Sequence, residues 1–162
     1  MTDFETLYER FARDLYRFAL YLCGNHAEAE DIVSETFVRA WNAPVSIRAT
    51  TAKAYLFTIA RNCFLHGRRR TQRQTELDEG LRDPSRGPHA AVEQKQELAR
   101  VFSALRAMPE VDRSALLMCS LQEMSYQEIA SALKLTVSAV KTKIHRARLR
   151  LAQFRDTAEV KK

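Results

Sequence analysis

Between residues 3 and 23, apolar side chains recur at Phe4, Leu7, Phe11, Leu15, Phe18 and Leu22, in steps of three and four. That spacing gathers them on one stripe of an α-helix, with charged residues between. Gly24 predicts the end of this helix, because glycine takes the left-handed backbone cheaply. Asn25 then predicts a cap, and Glu28 lies where its carboxylate can reach back to the cap N–H. In the second helix Ile32, Val33, Thr36, Phe37 and Ala40 face inward, while Glu30, Asp31, Ser34 and Glu35 fall off that side. Pro44 and the stretch NAPVSIRATT interrupt the pattern and predict a loop. A third helix is expected from about Thr51 to Arg70, with Leu56, Ile59, Ala60 and Cys63 on its apolar face. Its end is dense in cations: Arg68, Arg69, Arg70 and Arg73.

Residues 75–91, TELDEGLRDPSRGPHAA, exchange the apolar stripe for Asp, Glu, Gly and Pro, which predicts a flexible linker. A second helical unit begins near Val92. Leu98, Val101, Phe102 and Leu105 form its first stripe, and Pro109 suits a helix start. Leu116, Leu117 and Leu121 extend the core. Ser125 with Glu128 predicts a capping box, followed by Ile129, Ala130 and Leu133 inward. Thr136 opens a last helix with Val140, Ile144 and Ala147 on its buried side. The fold class is therefore all-α, two small helical domains on a tether. The boundaries are 1–74, 75–91 for the linker, 92–156, and 157–162 for a tail.

Composition supports this reading and narrows the chemistry. Of 162 residues, 46% are hydrophobic, enough for packed cores, while only 4 Gly and 4 Pro argue against a strand-and-turn architecture. The net charge of +6 attracts polyanions, but its distribution is more informative. From residue 134 to 155 stand Lys134, Lys141, Lys143, Arg146, Arg148, Arg150 and Arg155, with no Asp or Glu. A solvated helix ordinarily mixes signs to gain i,i+4 pairs, so a one-signed run points to phosphate neutralisation. Cys23, Cys63 and Cys119 are odd in number and far apart, which argues against a disulfide framework or a zinc ribbon. Cys63 and His66 share a predicted helix face but have no partner pair, so no metal or other cofactor is expected. The N-terminus lacks a signal-peptide core and no apolar run approaches a membrane span, so a soluble, cytoplasmic protein is expected. Glycine-rich phosphate loops, zinc-protease motifs and nucleophile elbows are missing, and no enzyme is expected.

The stretch SYQEIASALKLTVSAVKTKIHRARLRL has helix-turn-helix grammar. Ala130 is small where two helices approach, Ile129, Leu133, Leu135 and Val140 fill the wedge, and Thr136 caps the second helix. Such a motif presents one helix to the DNA major groove. This segment resembles region 4 of bacterial sigma factors of the extracytoplasmic-function (ECF) group. The string Val140-Lys141-Thr142-Lys143-Ile144-His145-Arg146-Ala147-Arg148 is close to that family's recognition helix, and Met108-Pro109 and Ser125 to Ala130 match the part before it. Independently, Ala29 to Trp41 resembles the polymerase-binding helix of region 2. Tyr55 to Asn62 followed by Arg68-Arg69-Arg70 resembles its promoter-melting helix. The chain departs from the family at Lys134, where glycine is frequent; at Ser138-Ala139 for Gly-Thr; at Ser34 for Gln; and at Ala52, which is smaller than usual.

The resemblance implies a sigma factor that binds core RNA polymerase and directs initiation at promoters with −35 and −10 elements. It implies polymerase contacts at Asp31, Ser34, Glu35 and Arg39. For the −35 duplex it implies Ser138, Lys141, Thr142, His145, Arg146, Arg148 and Arg150. For the single-stranded −10 element it implies Arg61, Asn62, Arg68 and Arg69, with Ser46 and Arg48 in a loop resembling a flipped-base pocket. Tyr55 is weighed between a base platform and the core, and core is preferred. The acidic residues Glu76, Asp78, Glu79 and Asp83 suit either a thread into an RNA channel or a solvated tether. An anti-sigma factor is an expected partner. Two alternatives remain: a helix-turn-helix regulator acting without polymerase, and a sigma mimic that titrates an anti-sigma factor.

Overall fold

The computed structural model describes residues 3–43, 52–75 and 92–160, and the remaining residues are outside the description. The predicted loop positions Ser46 and Arg48 and the acidic linker residues Glu76, Asp78, Glu79 and Asp83 all fall outside it. Seven α-helices occupy the described residues: α1 (Phe4–Cys23), α2 (His26–Trp41), α3 (Ala52–Thr75), α4 (Val92–Ala107), α5 (Glu110–Ser120), α6 (Tyr126–Leu133) and α7 (Val137–Val160). The chain divides into two compact units, Met1–Pro88 and His89–Lys162. The helix α7 continues to Val160, past the expected boundary at 156.

In the first unit α1, α2 and α3 each pack on the other two. The α1 stripe is buried from Leu7 onward, through Phe11, Leu15, Phe18 and Leu22, while Phe4 at its start is half-buried. Phe18 meets Phe57 edge to face, with ring centroids 5.1 Å apart. Gly24 ends α1 in the left-handed region, at φ 75°, and its N–H donates to the Leu20 carbonyl. Asn25 caps α2 by accepting from the Glu28 N–H at 2.9 Å. The apolar face of α3 is broader than expected: Phe57 and Phe64 are buried with Leu56, Ala60 and Cys63. Tyr55, by contrast, is 37% exposed and not core. It lies one helical step before the buried pair Leu56 and Phe57, and with a period of 3.6 that step turns it out of the stripe.

In the second unit α7 packs against α4, α5 and α6. Its core comprises Leu105, Met108, Leu116, Leu117, Met118, Met124, Ile129, Leu133, Val140, Ile144 and Ala147. The expected α4 stripe is only partly interior. Leu105 is buried, but Leu98 is 46% exposed and Val101 is 41% exposed. Burial is found toward the end of α4 and just past it, at Ala104, Leu105 and Met108 with Phe102 half-buried, so periodicity identifies an apolar face without saying how much of it is covered. Leu121 is half-buried, while Met118 and Met124, which flank it in the chain, are buried.

Burial pushes the Cys63 thiol above its ordinary range; the nearby Glu35 adds to this, while Arg39 and a hydrogen bond with Thr36 oppose it. A thiol harder to ionise folded than unfolded favours the fold below its ordinary titration range and withdraws that support as pH rises through the folded value. Stability is therefore expected to decline upward from about pH 8.5. The decline should be smaller in C63A. Urea unfolding between about pH 7 and 10 checks this; identical pH slopes in the two proteins would remove Cys63 as the source.

Candidate functional site

The helix-turn-helix is built locally before it is packed. Ser125 and Glu128 form a complete capping box: the Glu128 N–H donates to Ser125 Oγ at 3.1 Å, and the Ser125 N–H donates to Glu128 Oε1 at 3.1 Å. At the other end of α6 Lys134 adopts the left-handed conformation, at φ 56° and ψ 49°. There its N–H and that of Leu135 both donate to the Ala130 carbonyl, closing the turn. Thr136 then caps α7, its Oγ1 accepting from the Ala139 N–H at 3.1 Å. The buried row Val140, Ile144 and Ala147 fixes the rotation of α7.

That rotation sorts the expected DNA-contacting residues into two groups. Ser138, Thr142 and His145 are exposed and stand opposite the buried row, in steps of four and three. Lys141 flanks them, with its ammonium 5.9 Å from the Tyr126 ring centroid. The arginines lean back onto their own unit. Arg146 approaches Asp112 at 3.9 Å, Arg148 approaches Cys119 Sγ at 3.9 Å, and Arg150 donates to the Ala107 carbonyl at 3.4 Å. The one-signed run on α7 is thus partly answered by a carboxylate from α5, which no reading of residues 134–155 alone contains.

On α3, Asn62, Arg68 and Arg69 are exposed and Arg61 is half-buried. Arg68 lies 5.8 Å from the Phe64 ring centroid. The exposed Tyr55 shares a face with Asn62, His66 and Arg69, in steps of seven, four and three. Cys63 and His66 are three apart on α3, but Cys63 is buried and His66 exposed, so the two are not presented together.

On α2, Asp31, Ser34, Glu35 and Arg39 are all exposed. Arg39 and Glu35 form an ion pair at 2.7 Å, which leaves the strip less acidic than its composition implies. An open apolar groove adjoins it. Phe4, Tyr8, Ser34, Phe37, Val38 and Trp41 line this groove, and Phe4 meets Trp41 edge to face at 4.7 Å. Trp41 is 66% exposed and Val38 is 57% exposed. Isolated exposed apolar residues are ordinary, but a shared groove holding the protein's only tryptophan has the composition of an interface core. Tyr8, Val38 and Trp41 are not among the residues the sequence reading expected at a binding surface. Their signal was legible, since Val38 and Trp41 fall outside the inward set Ile32, Thr36, Phe37 and Ala40.

Comparison with known proteins now bears on this geometry. The model of Sigma-70 region 2 matches residues 7–74, and that of Sigma-70, region 4 matches residues 98–151. ECF RNA polymerase sigma factor SigL of Mycobacterium tuberculosis is 33% identical over 147 residues, covering 87% of this chain and 82% of that protein. The chain is an ECF sigma factor. ECF RNA polymerase sigma factor SigE of Mycolicibacterium smegmatis is 28% identical over 159 residues, covering 95% of this chain and 62% of that protein. Among solved structures, the sigma factor RpoE of Bartonella quintana, crystallised with the anti-sigma factor NepR, superposes with a TM-score of 0.76 at 27% identity. That match covers 96% of this chain and 98% of the other.

In this sigma factor the first helices, α1 to α3, carry the region 2 match, and α4 to α7 carry region 4. Lys134 holds its turn in a backbone conformation that costs a side-chain-bearing residue roughly 1 kcal/mol relative to glycine. K134G is therefore expected to raise the stability of the C-terminal unit by up to about 1 kcal/mol in denaturant unfolding. A clear loss of stability would contradict the left-handed turn.

Proposed function

We propose that this sigma factor binds core RNA polymerase through the exposed face of α2 and reads its promoter with α7 and α3. The observation that carries the DNA part is the outward row Ser138, Thr142 and His145 with Lys141 beside it, on a helix whose opposite side is buried. A helix of that form fits the major groove, where side chains reach base edges. Ser138, near the helix start, suits a phosphate, and Arg148 and Arg150 supply charge to the backbone on either side. The −10 strand requires cations for its phosphates and flat groups for unstacked bases. Arg61, Asn62, Arg68 and Arg69 with Tyr55 meet both requirements, and Ser46 and Arg48 are retained as further contacts. At the polymerase, Asp31, Ser34, Glu35 and Arg39 form the polar rim and Tyr8, Val38 and Trp41 the apolar centre. Such an arrangement concentrates binding energy in the buried aromatic residues.

The reading makes the protein a non-enzymatic initiation factor acting in the cytoplasm, where polymerase and promoter meet. Among the described residues no helix is long and apolar enough to cross a membrane. Control by an anti-sigma factor is part of the proposal. The Bartonella quintana structure, which pairs a sigma factor of similar fold with NepR, supports it.

The test is transcription in vitro with core polymerase on genomic fragments, with start sites mapped. Defined starts that depend on the protein are expected; their absence from every fragment would overturn the reading. W41A is expected to weaken holoenzyme formation by at least about 2 kcal/mol, some thirtyfold, as an aromatic anchor would. Unchanged affinity would remove the groove from the interface. H145A is expected to alter the preferred −35 sequence, costing about 1–3 kcal/mol at one base position if the imidazole reads it; an unchanged preference would exclude it from base contact.

A further inference from the structure

Asp112 is the most deeply placed charge of the C-terminal unit, with a side chain 1% exposed. It sits in the first turn of α5. Neither carboxylate oxygen accepts a hydrogen bond from any described residue. What faces it instead are two cations of α7: Lys143 Nζ at 3.7 Å from Oδ1, and Arg146 Nη1 at 3.9 Å from Oδ2. A buried carboxylate with no hydrogen-bond donor depends on its counter-charges, because losing them leaves an uncompensated charge in a medium of low dielectric. The pull is therefore unequal. DNA phosphates can be neutralised by any exposed cation of α7, whereas among the described residues Asp112 pairs with these two.

The positions on α7 agree. Lys143 and Arg146 lie on the side of the helix toward α5, between the buried row of Val140, Ile144 and Ala147 and the outward row of Ser138, Thr142 and His145. Lys141 stands on the opposite flank, beside Tyr126. We infer that Asp112 is a positioning residue that limits how many phosphates α7 neutralises. It holds Lys143 and Arg146 back on α5, so that α7 meets the −35 duplex with fewer phosphate-seeking charges and a larger share of its affinity in base readout. Contacts to phosphate carry no sequence information, so each cation withheld lowers binding to all sequences alike and leaves the choice between right and wrong sites to the base-reading row. This inference rests on the assignment of α7 to the −35 element. It replaces the expected base contact by Arg146 with a tie to Asp112.

The test uses holoenzyme, reconstituted from the full chain and core polymerase. Its binding to a −35 duplex and to a scrambled duplex is titrated with salt. Each phosphate neutralised contributes about 0.9 to the slope of log affinity against log salt. D112N preserves shape and removes the charge. It is expected to steepen the slope by about 1 to 2 by freeing the two cations, and to raise affinity for both duplexes alike at low salt. D112E should restore the wild-type slope, a rescue that loss of packing alone would not give. K143Q should leave the slope of the wild-type background unchanged but reduce that of D112N by about 1, whereas K141Q should reduce the wild-type slope by about 1. An unchanged or shallower slope for D112N overturns the inference, as does a K143Q loss equal to that of K141Q. If D112N does not fold, as judged by circular dichroism, the comparison of K143Q with K141Q decides alone. An intact slope in K141Q would show that α7 does not face the duplex, and the −35 assignment would fall together with the inference.

Discussion

A helix that packs along one side must leave the other side free, and the C-terminal unit is organised around that constraint. Val140, Ile144 and Ala147 sink into the layer formed by α5 and α6, and this burial sets the rotation of α7 about its axis. Once the rotation is set, every other side chain on the helix has its direction assigned. Ser138, Thr142 and His145 point outward, while Lys143 and Arg146 lie against α5. The turn that delivers α7 to this position is correspondingly specified. It uses a two-way capping box, a left-handed Lys134, and two N–H groups converging on the Ala130 carbonyl. A residue of unfavourable backbone conformation is tolerated there because the packing on both sides of the turn determines where the chain must go.

The N-terminal unit follows the same rule with a different outcome. Its three helices bury a continuous aromatic and aliphatic core centred on Phe18 and Phe57. What remains outside is not uniformly polar. The end of α2 and the start of α1 leave Tyr8, Val38 and Trp41 beside the charged strip of Asp31, Ser34, Glu35 and Arg39. An apolar floor flanked by charge is a better surface for a protein partner than charge alone, because desolvated aromatic area supplies affinity and the rim supplies register. The pairing of Glu35 with Arg39 reinforces this view: the strip's distinctive property is its neighbouring groove as much as its charge.

Most of the local structure was legible in the chain. The stripe on α1, Gly24 as terminator, the cap at Asn25, the capping box at Ser125 and Glu128, and the cap at Thr136 depend on residues three or four apart. Both sigma-factor regions could be recognised from contiguous motifs for the same reason. Where the reading failed, the deciding contact lay elsewhere in the sequence. Leu98 and Val101 continue the apolar face of α4, yet both are exposed while Ala104 and Leu105 are buried. Tyr55 has the size and polarity of a core residue, and its exposure depends on which of its neighbours face α1 and α2.

Sequence by itself determined the elements, their caps, the family and the net sign of α7, because each is encoded in short-range spacing or in composition. Only the tertiary structure decided how the charge on that helix is distributed. Asp112 precedes Lys143 and Arg146 by some thirty residues, and nothing in their local patterns pairs them. The pairing arises because α5 and α7 cross with a carboxylate buried at the crossing, and a buried charge selects whichever opposite charges the packing brings within reach. Helical periodicity orders side chains around one axis. The distance between two axes is set by the core that both helices share.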